Sequence, residues 1–165
     1  MSYDDYVTQR LGTLLRFATV VTCDPHVAED VVQEVLLRAY GRWDRIAAMD
    51  HPEAYLKRMV VNAFLTWRRR SARIVPLAAD ALAAAAPPQP DHAPGHGERD
   101  SLMRHIAALS RKQRAVVALR YYEGLSDSEI AAALGCAEGT VRSHASRALA
   151  ALRAGLAQPA RREPS

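Results

Sequence analysis

Apolar residues recur at intervals of three and four along most of the chain, the spacing of helices that turn one face inward. Val7, Leu11, Leu14, Leu15, Ala18 and Val21 form such a stripe over a helix predicted from about Tyr3 to Val21. Asp24 followed by Pro25 predicts the N-cap and first position of a second helix, with Ala28, Val31, Val32, Val35, Leu36 and Ala39 on its inward side. The stretch from Gly41 to Asp50 reads as a loop, too apolar for a simple solvated connection. Pro52 opens a third helix whose inward stripe is Leu56, Met59, Val60, Ala63, Phe64 and Trp67. Farther on, Ser126-Asp127-Ser128-Glu129 predicts a capping box and Gly135 a left-handed helix stop. A last helix restarts near Thr140, with Val141, Ala145, Ala148, Leu149 and Leu152 inward. No alternating strand pattern of useful length interrupts this, so the expected class is all-α.

The outward faces carry the chemistry. On the second helix Asp30, Gln33, Glu34 and Leu37 fall within one sector. Acidic residues alone are most simply solvated, but a leucine set among them suggests a protein partner with a basic surface. On the third helix Arg58, Asn62, Leu65 and Arg69 share the far side, and no acid occurs between Ala54 and Ala79 while Lys57, Arg58, Arg68, Arg69, Arg70 and Arg73 do. Such a run fits a phosphate-binding face. Complementing a helix dipole would explain Arg68 to Arg70 but not Lys57 or Arg58. Trp43 offers either a stacking surface for single-stranded bases or core filling. In the last helix Ser143, Ser146, Arg147 and Ala150 form the outward face, small hydroxyls interleaved with arginine that allow close approach to base edges and phosphates. Two helices joined by a tight turn, with the second so faced, predict a helix-turn-helix entering a major groove.

Composition divides the chain. Pro76, Pro87, Pro88, Pro90 and Pro94 punctuate an alanine-rich stretch that can neither continue a helix nor build a core. The expected organisation is therefore two small helical domains, residues 1–73 and 98–157, a flexible Ala/Pro-rich linker at 74–97, and a disordered tail at 158–165. A formal net charge of +4 over 165 residues is compatible with nucleic acid without requiring it. Cys23 and Cys136 stand in apolar helical contexts and read as buried free thiols in a reducing compartment. No clustered Cys and His at ligand spacing suggests a metal, and no cofactor is expected. The polar N-terminus lacks a signal pattern and no apolar run approaches bilayer length, so the expected location is the cytoplasm, away from the membrane.

Ala28-Glu29-Asp30-Val31-Val32-Gln33-Glu34-Val35-Leu36-Leu37-Arg38-Ala39-Tyr40, the run from Pro52 to Asn62, and Leu109 to Tyr122 followed by the helix-turn-helix are together similar, in that order, to the extracytoplasmic-function (ECF) sigma factors of bacterial RNA polymerase. The resemblance implies a sigma factor that binds core polymerase and directs promoter-specific initiation through −10 and −35 elements. It implies that Asp30, Gln33, Glu34 and Leu37 dock on the β and β′ subunits. Trp43, Arg58, Asn62 and Arg69 would serve the single-stranded −10 element, with the Trp43 to His51 loop holding an extruded base. Arg142, Ser143, His144, Ser146 and Arg147 would read or clamp the duplex −35 element. No residue is implied as a catalyst, and whether an anti-sigma factor binds the chain is left open. Two departures stand out: Ala137 lies where many relatives carry a capping Ser or Pro, and His144 where the position is often basic.

The run from Glu129 to Leu149 also resembles the LuxR-type helix-turn-helix, the alternative reading. Such a regulator would normally carry a sensing domain of alternating strands and helices, which the N-terminal half does not suggest. A small helical nuclease would need a carboxylate cluster with nearby histidine, and an adaptor that avoids DNA would not need the arginine-rich third helix.

Overall fold

Hydrogen-bonding side chains stand where the helices begin. The computed structural model describes the backbone of residues 1–74 and 97–157 and the side chains of 1–66 and 97–157. Helix α1 spans Tyr3–Thr22, capped by Ser2, whose hydroxyl accepts from the Asp5 amide at 3.1 Å while the Asp5 carboxylate accepts from the Ser2 amide at 3.2 Å. It ends at Cys23 in the left-handed conformation. Helix α2, Pro25–Tyr40, starts as expected: Asp24 Oδ1 accepts from the amides of His26 and Val27 at 2.8 and 3.3 Å. Residues 43–47 form a short helix, α3, where the sequence suggested only a loop. Trp43 and Ile46 bury themselves on its inner side, which ties the segment down. Helix α4 runs from Pro52 to Ile74.

Helices α1, α2 and α4 pack against one another, and the core lies between them. Leu14, Phe17 and Val21 of α1, Val31 and Val35 of α2, and Leu56, Val60 and Val61 of α4 are essentially excluded from water. Each such side chain contributes on the order of 1.5–3 kcal/mol of transfer free energy. Because α1 meets two helices, its buried face is wider than one stripe. It takes in Tyr6 and Phe17, whereas Leu11 and Leu15 are only half-buried.

Lys57 departs from the sequence reading in a more telling way. It was grouped with the phosphate-facing cations, but it is 9 % exposed, pairs with Glu53 at 3.1 Å and lies 5.6 Å from the Phe17 ring centroid. Its neutralised ammonium belongs to the interior. Tyr6, equally enclosed, has its phenol pushed up to about 12 by burial and then by the charge of Glu53, with Arg10 opposing.

The chain divides into two compact units, Met1–Gln89 and Pro90–Ser165. The expected linker, save Ile74 and Gly97, and the expected tail lie outside the described residues. In the second unit α5 covers Gly97–Ala108 and α6 Arg111–Val117, the latter opened by a Ser110–Gln113 capping box. A π-helical turn, Ala118–Tyr122, continues α6 and leaves Tyr121 and Tyr122 exposed. Helix α7 is Asp127–Leu134 and α8 is Glu138–Ala157. α8 packs on α5, α6 and α7, so the outward-reading helix is also the spine of its domain. Among the described residues every regular element is helical.

Gly155 marks where α8 and α5 touch: a Cβ there would come within 2.5 Å of His105 Nδ1. Alanine in a helix interior normally gains up to about 1 kcal/mol over glycine. The expected result is therefore a coupled pair. Gly155→Ala gains nothing or destabilises in the native background, yet stabilises in a His105→Ala background, as thermal melts of the four-member cycle would register. Equal shifts in both backgrounds would disprove the contact.

Candidate nucleic-acid interface

The helix-turn-helix forms as its local chemistry dictates. The Glu129 amide donates to Ser126 Oγ at 3.2 Å and the Ser126 amide to the Glu129 carboxylate at 2.8 Å. Those bonds hold the Glu129 carboxyl below the usual carboxylate range. Gly135 adopts φ 66°, ψ 39°, and the next amide, Cys136, closes on Ala131 O at 3.1 Å. This left-handed stop is where glycine costs least. Helix α8 then begins at Glu138, two residues before the expected start, with the amides of Thr140 and Val141 directed to Ala137 O. Ala137 supplies a carbonyl but no side-chain cap.

Val141, Ala145 and Ala148 are buried and anchor α8; Leu149 and Leu152 are half-buried. On the other side Arg142, Ser143, Ser146, Arg147 and Ala150 are exposed. Arg142 pairs with Glu138 at 3.5 Å, a surface contact of little strength that a phosphate could displace. His144 is placed differently. It is half-buried, and its Nδ1 is enclosed without a hydrogen-bond partner. Burial, and then the charges of Lys112 and Arg147, lower its pKa, which favours the neutral ring. Just ahead of this element, Arg120 reaches Asp127 at 3.4 Å and lies against the Tyr121 ring.

In the first unit the α2 face stands out as the sequence suggested. Leu37 is 72 % exposed, Asp30 and Gln33 are exposed, and Glu34 is half-buried and paired with Arg38. Beside it a groove of about 410 Å³ runs between α1 and α2, lined by Tyr3, Leu11, Leu15, Leu36 and Leu37 with Glu29, Asp30 and Gln33 at its edge. An apolar floor with an acidic rim has the composition of a surface that could receive a protein segment. The half-buried state of Leu11 and Leu15, which helical periodicity does not reveal, supplies that floor.

On α4, Arg58 and Asn62 are exposed one turn apart. Arg69 lies on the same helix, its side chain outside the described residues. Trp43 takes the core alternative. It is 8 % exposed, its indole N–H donates to Met1 O at 3.1 Å, and its ring sits 5.5 and 5.1 Å from those of Tyr3 and Tyr6. A ring so enclosed cannot stack on a base without leaving its partners. The exposed aromatic rings of this region are instead Tyr40 and, partly, Tyr55, which periodicity alone did not single out.

Comparison with known proteins agrees with both units. The pattern described as sigma-70 region 2 matches residues 6–74, and that described as sigma-70, region 4 matches residues 99–152. An RNA polymerase sigma-E factor of Streptomyces avermitilis is 42 % identical over 93 % of this chain and 84 % of its own. The ECF RNA polymerase sigma factor SigL of Mycobacterium tuberculosis is 36 % identical over 92 % of this chain and 84 % of its own. Among solved structures, the sigma factor RpoE of Bartonella quintana, crystallised with the anti-sigma factor NepR, superposes with a TM-score of 0.74 at 26 % identity, covering 93 % of this chain and 96 % of that one.

Proposed function

The chain belongs to the ECF branch of the sigma-70 family of transcription initiation factors, and from that membership we propose how its surfaces divide the work. It joins core RNA polymerase and directs initiation at a promoter held at two points. Residues 1–73 form the polymerase-binding and −10 domain, and residues 98–157 the −35 domain. Asp30, Gln33, Glu34 and Leu37 dock on the β and β′ subunits, the leucine entering a pocket while the acids meet a basic rim. Arg58, Asn62 and Arg69 engage the opened −10 strand. Arg142, Ser143, Ser146 and Arg147 contact the duplex −35 element, with His144 beside them as a partly enclosed ring. Nucleotide addition belongs to the polymerase, and this chain contributes binding energy that keeps one strand open.

The observation that carries the reading is the division of α8. Val141, Ala145 and Ala148 hold it rigidly in its domain while Ser143, Ser146 and Arg147 remain outside. A side chain on a rigid element can read base edges; one on a mobile loop does so poorly. The region 2 match in the N-terminal half replaces the sensing domain that a LuxR-type regulator would carry, which sets that alternative aside. An anti-sigma factor is a further partner on this reading, because the Bartonella relative was crystallised with one. No helix among the described residues is long and apolar enough to cross a membrane, and a cytoplasmic location follows from where polymerase works.

Run-off transcription tests this directly. The chain mixed with core polymerase is expected to produce discrete transcripts from members of a genomic promoter library, with neither component sufficient alone. A library without any dependent transcript would overturn the proposal.

A further inference from the structure

His144 sits on the flank of α8, three residues after the buried Val141 and four before the buried Ala148. Arg142, Ser143, Ser146 and Arg147 on the crest are exposed, whereas the His144 ring is half-buried. Its Nδ1 is shut off from water and has no hydrogen-bond partner. Two cations act on the ring, Lys112 from α6 and Arg147 from one turn farther along α8. Both are exposed, and neither has an ion-pair partner among the described residues. Helices α5 and α7 also pack on α8, but the charges acting on the ring come from Lys112 and Arg147, and both are positive.

The cluster therefore holds cations without an anion. A protonated imidazole carries two N–H donors. In the free chain the enclosed Nδ1 finds no acceptor and the added charge meets two like charges, so the neutral ring is favoured. An anion at this flank reverses both effects, since it pairs with Lys112, offsets the repulsion and accepts from the ring. Position selects the anion. A duplex that meets the crest of α8 through its major groove carries rows of backbone phosphates along both edges of that groove, and the flank lies beside the crest. We propose that Lys112 and His144 form a phosphate seat beside the base-reading crest of α8, and that His144 takes up a proton from solvent as duplex promoter DNA enters it. The proton adds to a ring nitrogen and no other bond forms or breaks. The proposal rests on the −35 reading of α8.

The sign of the linkage follows. Bound DNA raises the His144 pKa above its value in the free chain, so affinity rises as pH falls through the interval between the two values and levels off below it. The test uses holoenzyme assembled from the full chain and a duplex promoter fragment, titrated between about pH 8 and pH 6, the span in which histidine changes charge. Native holoenzyme is expected to gain roughly three- to tenfold more affinity over that span than His144→Gln, which cannot titrate. His144→Arg, charged throughout, should lose this extra pH dependence while keeping the tighter binding. Calorimetry in buffers of different ionisation enthalpy should register more proton uptake for the native protein than for His144→Gln. Lys112→Ala, altered at an exposed side chain, should melt like the native chain. It should bind all −35 sequences more weakly without changing their ranking, and flatten the dependence on salt by about 0.9. Equal pH dependence in native and His144→Gln, or an unchanged salt slope in Lys112→Ala, overturns the proposal. If Arg147→Ala still loses its −35 preference in that case, the −35 reading survives; if it does not, both fail. If Lys112→Ala loses core polymerase instead of DNA, the seat docks an acidic protein segment and the proposal is wrong.

Discussion

Leu37→Asp is expected to weaken association with core polymerase by roughly 30- to 100-fold and leave the fold intact, since truncating a central apolar anchor costs about 2 kcal/mol or more. Leu37 is 72 % exposed on α2, so the free chain loses almost no packing when it changes. The buried side of the same helix, Val31, Val32 and Val35, is untouched. Aspartate also extends the acidic character of the face, which separates two models. If the surface worked through charge alone, a further acid would be neutral or helpful. If Leu37 fills a pocket in the partner, a desolvated carboxylate there is costly. Gel filtration and equilibrium titration with core polymerase, beside a thermal melt of the free chain, would decide. Native affinity in the variant would remove this face from the interface.

Arg147→Ala is expected to abolish most of the preference for the cognate −35 sequence, lowering transcription from that promoter roughly 10- to 100-fold while polymerase binding persists. A well-placed base contact discriminates by about 1–3 kcal/mol. Alanine keeps α8 helical, and the anchors Val141, Ala145 and Ala148 lie on the opposite side. Transcription across a panel of −35 variants would flatten for the altered protein, and an unchanged ranking would rule the assignment out. The substitution carries a second signature. Arg147 is one of the charges that depress the His144 pKa, after burial and Lys112. Because the folded-state value lies below the unfolded one, the unfolded chain takes up the proton first, so stability falls as pH drops through and below the ordinary histidine range. Removing Arg147 should raise the His144 pKa and soften that acid sensitivity, readable by NMR titration of the ring.

Local chemistry made much of the architecture legible. Asp24-Pro25, Ser126 with Glu129, and Gly135 announced helix boundaries because a cap or a left-handed stop is a transaction between residues four or fewer apart. The outward set Ser143, Ser146 and Arg147 was equally readable, since burying Val141, Ala145 and Ala148 leaves only one direction for the rest. Where several helices meet, periodicity was a poorer guide. It assigned Leu11 and Leu15 to the interior although they line a groove, and passed over Tyr6, Phe17 and Val61, which are buried. A helix that touches two neighbours buries more than one stripe, and only the arrangement of those neighbours tells how far the buried sector extends.

The sequence by itself determined the helical class, the two lobes, the family resemblance and the faces that α2 and α8 turn outward. Each of these depends on spacing along one helix or on motifs in order. Tertiary structure decided the fate of individual side chains whose partners are distant in the chain. It drew Lys57 inward to Glu53 and Phe17 and enclosed Trp43 with Tyr3, Tyr6 and the Met1 carbonyl. It also left Arg42 and Arg45 exposed between two concavities. A cation or an aromatic ring is amphipathic in use, serving equally as core or as contact surface. Which role it takes is set by what packs above it, and that is a property of the fold.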